Sequence, residues 1–453
     1  MRLGTTPPER DAGTRVALFP QYPGSAPATR PEVVRLSPPA GTVGPGPADD
    51  RIYVVDPVGK RLPYGFHRDR AGRVAHHRPP WQGAARPPAE PDGAGHFDHL
   101  DPRGRAFARA HAYGCVRFAL DVWEGYFARR IPFHFERAYD RLEVVLLEGL
   151  DNALAGYGSI ELGAYRHEGG RFLDFALSFD VIAHELGHLL VYSVVGLPDV
   201  AVADGEHFGF HESAADMVSL VALLHFETAL DGLLAASRGN LYSFNRLNRF
   251  GEISAFEQLR LASNRSTLWD FERGWTSEHD LSEPLTAALF DIWVDLFHEA
   301  LLDRGLLAGA IEDLSDRLEH EPDYEAVLQP LFDEAFADDP QGFAAALVAA
   351  RDRMGALLAR AWTDLAAVPS YAAVRDAMVR ADAGLSGGRY RRIIAGAMAR
   401  RGIGLVEAGP RLAPPASDSH AFSPRTEVPR RIGPAAGRRC MPYRVRMALA
   451  RGG

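Results

Sequence analysis

Residues 179–195 read Phe-Asp-Val-Ile-Ala-His-Glu-Leu-Gly-His-Leu-Leu-Val-Tyr-Ser-Val-Val, an apolar run with two histidines and a glutamate at its centre. A helix this apolar over most of its surface has to be buried. Burying His184, Glu185 and His188 without partners would cost several kcal/mol, so the fold must supply a partner for them. The two histidines stand four positions apart. On a helix they project from one face, about 6 Å apart along the axis, and can share one ion. A bound metal removes the burial penalty, and Glu185 points toward the same cleft. Gly187 is a weak point in such a helix, by about 1 kcal/mol against alanine.

A third ligand is needed, because the motif alone has little weight in a chain with 17 histidines. The motif does not continue to a third histidine: Val194 stands six residues after His188, and Val191 occupies the place a turn glycine would need. The other route takes a glutamate from a following helix, the His₂Glu donor set of a catalytic zinc site. Glu212 fits, since residues 189–211 leave room for a turn and an antiparallel helix. Asp216, four residues on, shares its face and suits the second ring N–H of a liganding histidine. His207, His211 and Glu206 are rival donors nearby. Glu212 is favoured because only it has a same-face carboxylate partner amid Ala214, Ala215, Met217, Val218 and Leu220.

Composition excludes several classes. The formal net charge of −9 argues against a general nucleic-acid binder. Cys115 and Cys440 are the two cysteines, too few for a disulfide framework or a zinc knuckle. No apolar run approaches a membrane span, and the first thirty residues lack the apolar core of a signal peptide, so a cytoplasmic location is expected. Lys60 is the chain's one lysine.

The pattern along the chain predicts a Pro/Gly-rich, loosely held stretch over residues 1–50 and a short strand over 51–55. A long buried helix is expected over 107–129, a strand over 142–147, and a hairpin or irregular loops over 156–170. From residue 179 to about 399 the pattern reads as helical, with helices over 180–195, 211–236, 283–303 and 343–363. The Arg/Pro-rich tail after residue 404 is expected to be disordered.

The stretch 179–188 resembles the central helix of the thermolysin-like branch of the gluzincin zinc metallopeptidases. His211-Glu212-Ser213-Ala214-Ala215-Asp216 resembles that family's Asn-Glu-Ala-x-Ser-Asp motif, which implies Glu212 as third Zn²⁺ ligand and Asp216 as the carboxylate behind a liganding histidine. Asn152-Ala153 sits where the family has a substrate-binding edge strand. His279-Asp280-Leu281-Ser282 is similar to its His-x-x-Ser segment, which implies that His279 donates to the tetrahedral intermediate. Glu185 takes the place of the general base.

The implied fold is α+β, in two lobes with the zinc site in the cleft between them. An N-terminal extension (1–95) precedes a mixed β/α lobe (96–200), a mainly helical lobe (201–403) and the tail (404–453). The implied activity is zinc-dependent hydrolysis of peptide or protein substrates, endopeptidase rather than exopeptidase. There are departures: His211 stands for the asparagine, no tyrosine closely precedes Glu212, and carboxylate-rich calcium sites are not evident. The absent tyrosine and the long helical C-terminal half keep an alternative open, a zinc-containing but catalytically silent scaffold or peptide-binding protein of the same fold.

Overall fold

A computed structural model describes residues 12–23, 29–68, 73–166, 172–199, 202–241, 249–254, 257–262, 264–273, 278–311, 314 and 324–404. Strands β1 (Gly13–Leu18), β2 (Glu32–Pro39), β3 (Ile52–Val55), β4 (Gly65–Arg68) and β5 (Val74–His77) precede helix α1 (Arg105–Phe127). Strands β6 (Leu142–Glu148), β7 (Ala153–Gly156), β8 (Ser159–Arg166) and β9 (Phe172–Asp174) follow. Next come α2 (Phe179–Val194), α3 (Gly205–Leu223) and α4 (Glu227–Ser237), then the hairpin β10 (Arg249–Ser254) and β11 (Glu257–Leu261). Further along stand α5 (Glu278–Asp303), α6 (Tyr324–Asp338), α7 (Pro340–Trp362), α8 (Tyr371–Ser386) and α9 (Arg391–Arg400). The fold is therefore α+β, with the strands ahead of most of the helices.

The main sheet has the order β3-β6-β8-β7, with β9 also paired to β8. β3, β6 and β8 are parallel, and β7 and β9 run antiparallel to β8. Alternation divides its faces. Ile52, Val54, Leu142, Val144, Leu146, Ile160 and Leu162 turn into the core, where α1 packs between sheet and helices. That core is continuous from the sheet through α1, α2 and α3 to α5, α7, α8 and α9. Among the described residues no single helix is long and apolar enough to cross a membrane.

The opposite face is covered by the stretch that follows β3. Lys60 Nζ lies 2.7 Å from Glu161 Oε1, and both side chains are buried. Tyr64 donates from its backbone N–H to Glu161 and from its hydroxyl to Glu143, each at 2.7 Å. Burial pushes the Glu161 carboxyl up even with Lys60 beside it.

Three local expectations need correction. The stretch 1–50, read as loosely held, contains the β1–β2 hairpin, whose Val16, Leu18, Val34 and Leu36 join the core. Among the described residues there, Gly41, Pro45 and Pro47 stand in turns, while Pro38 and Pro39 end a strand. The helix expected over 211–236 is two helices. Phe226 turns inward at the break, stacked on Phe118 at 4.6 Å, and the Glu32 carboxylate caps the N–H groups of Glu227 and Thr228. The helical stretch from 179 onward is also interrupted, by the β10–β11 hairpin beside α2. The tail beyond 404 lies outside the described residues.

Candidate metal centre

Helix α2 starts at Ser178, whose hydroxyl donates to Asp180 Oδ1 at 2.6 Å, and Asp180 adds negative charge to the first turn. α3 is capped by Asp204, which accepts from the His207 backbone N–H at 3.1 Å. Ser219 near the end of α3 donates to the Asp180 carbonyl at 2.9 Å, tying it to the first turn of α2. Both helices are buried through their central turns, as the apolar pattern requires.

His184, His188 and Glu212 meet where the helices touch. The imidazole Nε2 atoms are 3.1 Å apart. Glu212 Oε2 lies 3.4 Å from His184 Nε2, and Oε1 lies 3.6 Å from His188 Nε2. Donors held about 2.0–2.2 Å from a tetrahedral ion are separated by roughly 3.3–3.6 Å. The three side chains could hold a small divalent cation through two nitrogens and a carboxylate oxygen. All three are buried, with Glu212 and His188 wholly so, and a charged carboxylate there requires compensation from the groups around it.

Each donor has a neighbour behind it. Asp216 Oδ1 is 2.9 Å from His184 Nδ1, so the carboxylate accepts that ring's second N–H and fixes its tautomer. His211 Nδ1 lies 3.5 Å from His188 Nδ1, with the two rings stacked. His279 Nδ1 lies 2.9 Å from Glu212 Oε2. Glu185 is buried on α2 beside His184.

Of the residues expected at the site, His184, His188, Glu212, Asp216 and His279 come together, with Glu185 on the same helix as the imidazoles. Asn152 and Ala153 sit on a separate element. Asn152 precedes β7, where its side-chain oxygen accepts from Ala153 N–H at 3.0 Å and its carbonyl from Gly163 N–H at 2.9 Å. Ala153 opens β7 opposite Leu162, and β7 ends the path of the sheet while packing against α2. Of the rival donors, Glu206 is turned to the Tyr371 backbone N–H at 2.6 Å, its carboxyl raised by burial. Burial pushes His207 down to about 4.

Sequence reasoning missed two contributors. Tyr192 continues the four-residue spacing of His184 and His188, a visible signal, and its ring lies 4.4 Å from that of His211. Tyr371, far along the chain, donates its hydroxyl to the Leu281 carbonyl at the start of α5. Nothing local in the sequence marks it.

No protein-family model matches this chain, and no curated protein matches it either. Among solved structures it is similar to the precursor of protealysin, a metalloproteinase from Serratia proteamaculans, at 14% sequence identity and a TM-score of 0.46. That match covers 80% of this chain and 90% of the other, a similarity too remote to assign a family.

Proposed function

We propose that this chain is a zinc-dependent peptidase acting on peptide or protein substrates. The observation that carries the reading is the convergence of His184, His188 and Glu212 at separations suited to one tetrahedral ion, with the buried Glu185 next to the first ligand. These three side chains would hold the ion. When bound, zinc supplies a Lewis acid and acidifies water toward neutral pH.

The protein's own residues supply the rest. The Glu185 carboxylate accepts a proton from the attacking water and returns it to the leaving amine, which cannot depart as an anion at neutral pH. The edge of β7 offers backbone groups to an extended peptide, which would lie as a further strand from Asn152 and Ala153 onward. A peptide held this way has its scissile carbonyl presented beside α2, the helix against which β7 packs.

The test is cleavage of a peptide library by the purified protein, with and without a chelator, beside Glu185→Gln. Activity that disappears with chelator, returns with Zn²⁺ and is absent from the Gln variant at full zinc occupancy is the expected result. Undiminished cleavage by Glu185→Gln would rule the mechanism out. Stoichiometric zinc with no cleavage of any peptide would point instead to a silent binding protein.

A further inference from the structure

We propose that His279 is a positioning residue that acts on the metal centre through Glu212. This rests on the metal-binding reading above. The resemblance noted in the sequence implies a different task, donation to the reaction's intermediate, and the two assignments use different nitrogens of the same ring.

The geometry favours the first. His279 Nδ1 lies 2.9 Å from Glu212 Oε2, and Glu212 is completely buried. An ionised carboxylate only accepts hydrogen bonds, so the proton of this contact sits on Nδ1. With that bond in place both oxygens still face the imidazoles, Oε2 at 3.4 Å from His184 Nε2 and Oε1 at 3.6 Å from His188 Nε2. The bond fixes the rotation of the carboxylate, and with it the separation of the three donors. Asp216 stands in the same relation to His184, and His211 contacts His188. With His279 counted, every ligand of the centre has a side chain behind it, as metal sites generally require.

Packing holds the imidazole there. His279 lies in the first turn of α5, and its carbonyl accepts from the Ser282 hydroxyl at 2.7 Å. Two residues on, the Leu281 carbonyl accepts from the buried Tyr371 hydroxyl, while Tyr371 N–H donates to Glu206 of α3. Gly209 makes the approach possible: a Cβ there would overlap both Leu281 O and the Tyr371 hydroxyl. The start of α5 is thereby fastened to α3 one helical turn from Glu212.

The experiment compares the wild-type chain with His279→Ala and His279→Asn. The asparagine amide can take the place of Nδ1 as a donor but has nothing in the position of Nε2. Zn²⁺ affinity is measured by competition with a chromophoric chelator, and ligand geometry by the visible absorption of the Co²⁺-loaded protein. Thermal unfolding of the metal-free forms checks that both variants fold. His279→Ala is expected to bind Zn²⁺ 10–100-fold more weakly with an altered Co²⁺ spectrum, and His279→Asn to regain most of the affinity and the spectrum. Wild-type affinity in His279→Ala would overturn the assignment while leaving the metal centre standing. An Asn variant as impaired as the Ala variant in affinity would overturn it too. A wild-type chain without affinity for Zn²⁺ would overturn the centre itself, and this role with it.

Discussion

Gly187 in α2 faces Ala215 in α3 so closely that a Cβ on the glycine would lie 2.7 Å from the Ala215 Cα and 3.1 Å from Val218 Cβ. The residue that weakens the helix when taken alone is the one that lets two helices meet backbone to backbone. Only at that separation do imidazoles from one and a short carboxylate from the other reach a common point. The helix propensity lost is repaid in packing and in ligand geometry.

Gly187→Ala should therefore be harmful despite alanine's better helix propensity. Overpacking at a contact this tight costs about 1–3 kcal/mol, and displacing α3 from α2 should weaken Zn²⁺ binding as well. Denaturant unfolding and chelator competition on the same protein check both effects. An unchanged midpoint with unchanged affinity would contradict the close-approach argument.

Asp216→Ala should lower Zn²⁺ affinity by about 10–100-fold, because the His184 ring loses the acceptor that sets its tautomer. The change leaves all three donors in place, so residual binding is expected at high metal concentration. A variant that holds zinc as tightly as the wild type would show that the 2.9 Å contact does no work for the metal.

Acid should destabilise the metal-free protein well before its carboxylates titrate. His111 is buried between β1 and the turn before α2, accepting from Phe19 N–H at 3.0 Å and donating to Ala176 O at 2.8 Å. Burial holds it neutral, with its pKa pushed down to about 4, and His134 is lowered to about 4 in the same way. Between that value and the ordinary 6.5 the unfolded chain binds the extra proton, so stability is complete above pH 6.5 and falls as pH drops toward 4. The loss is about 2 kcal/mol for His111 at pH 5. Urea unfolding at pH 7.5 and pH 5, in the presence of chelator, should show the decrease.

Lys60→Met should cost about 3–5 kcal/mol, since it strands the Glu161 carboxylate in the interior. Adding Glu161→Gln should recover part of the loss, because the amide oxygen can still accept from Tyr64 N–H and no charge is left unpaired. The double variant falling below the single one would refute that account.

The convergence of the candidate donors was legible in the sequence because helical spacing converts directly into geometry. His184 and His188 had to share a face, and Asp216 had to share one with Glu212. The long helix α1 and strand β6 followed equally from apolar patterns. Less legible was anything that depends on residues distant in the chain. The fastening of α5 by Tyr371 joins positions 90 apart. The break before α4 is set by a glutamate near the N-terminus, 195 positions away. The early hairpin was missed because its prolines and glycines look like disorder until the strands between them are seen packed on α1. Gly187 was seen, but a penalty counted within one helix says nothing about the neighbour that justifies it.

The burial of Lys60 has a practical corollary for anyone handling this molecule. It carries the chain's one side-chain amine, and that amine is enclosed against the sheet in a bond to Glu161. Amine-directed dyes and crosslinkers will find no lysine to attack on the native surface. Labelling at this position becomes instead a clock for the moments when the covering stretch lifts away.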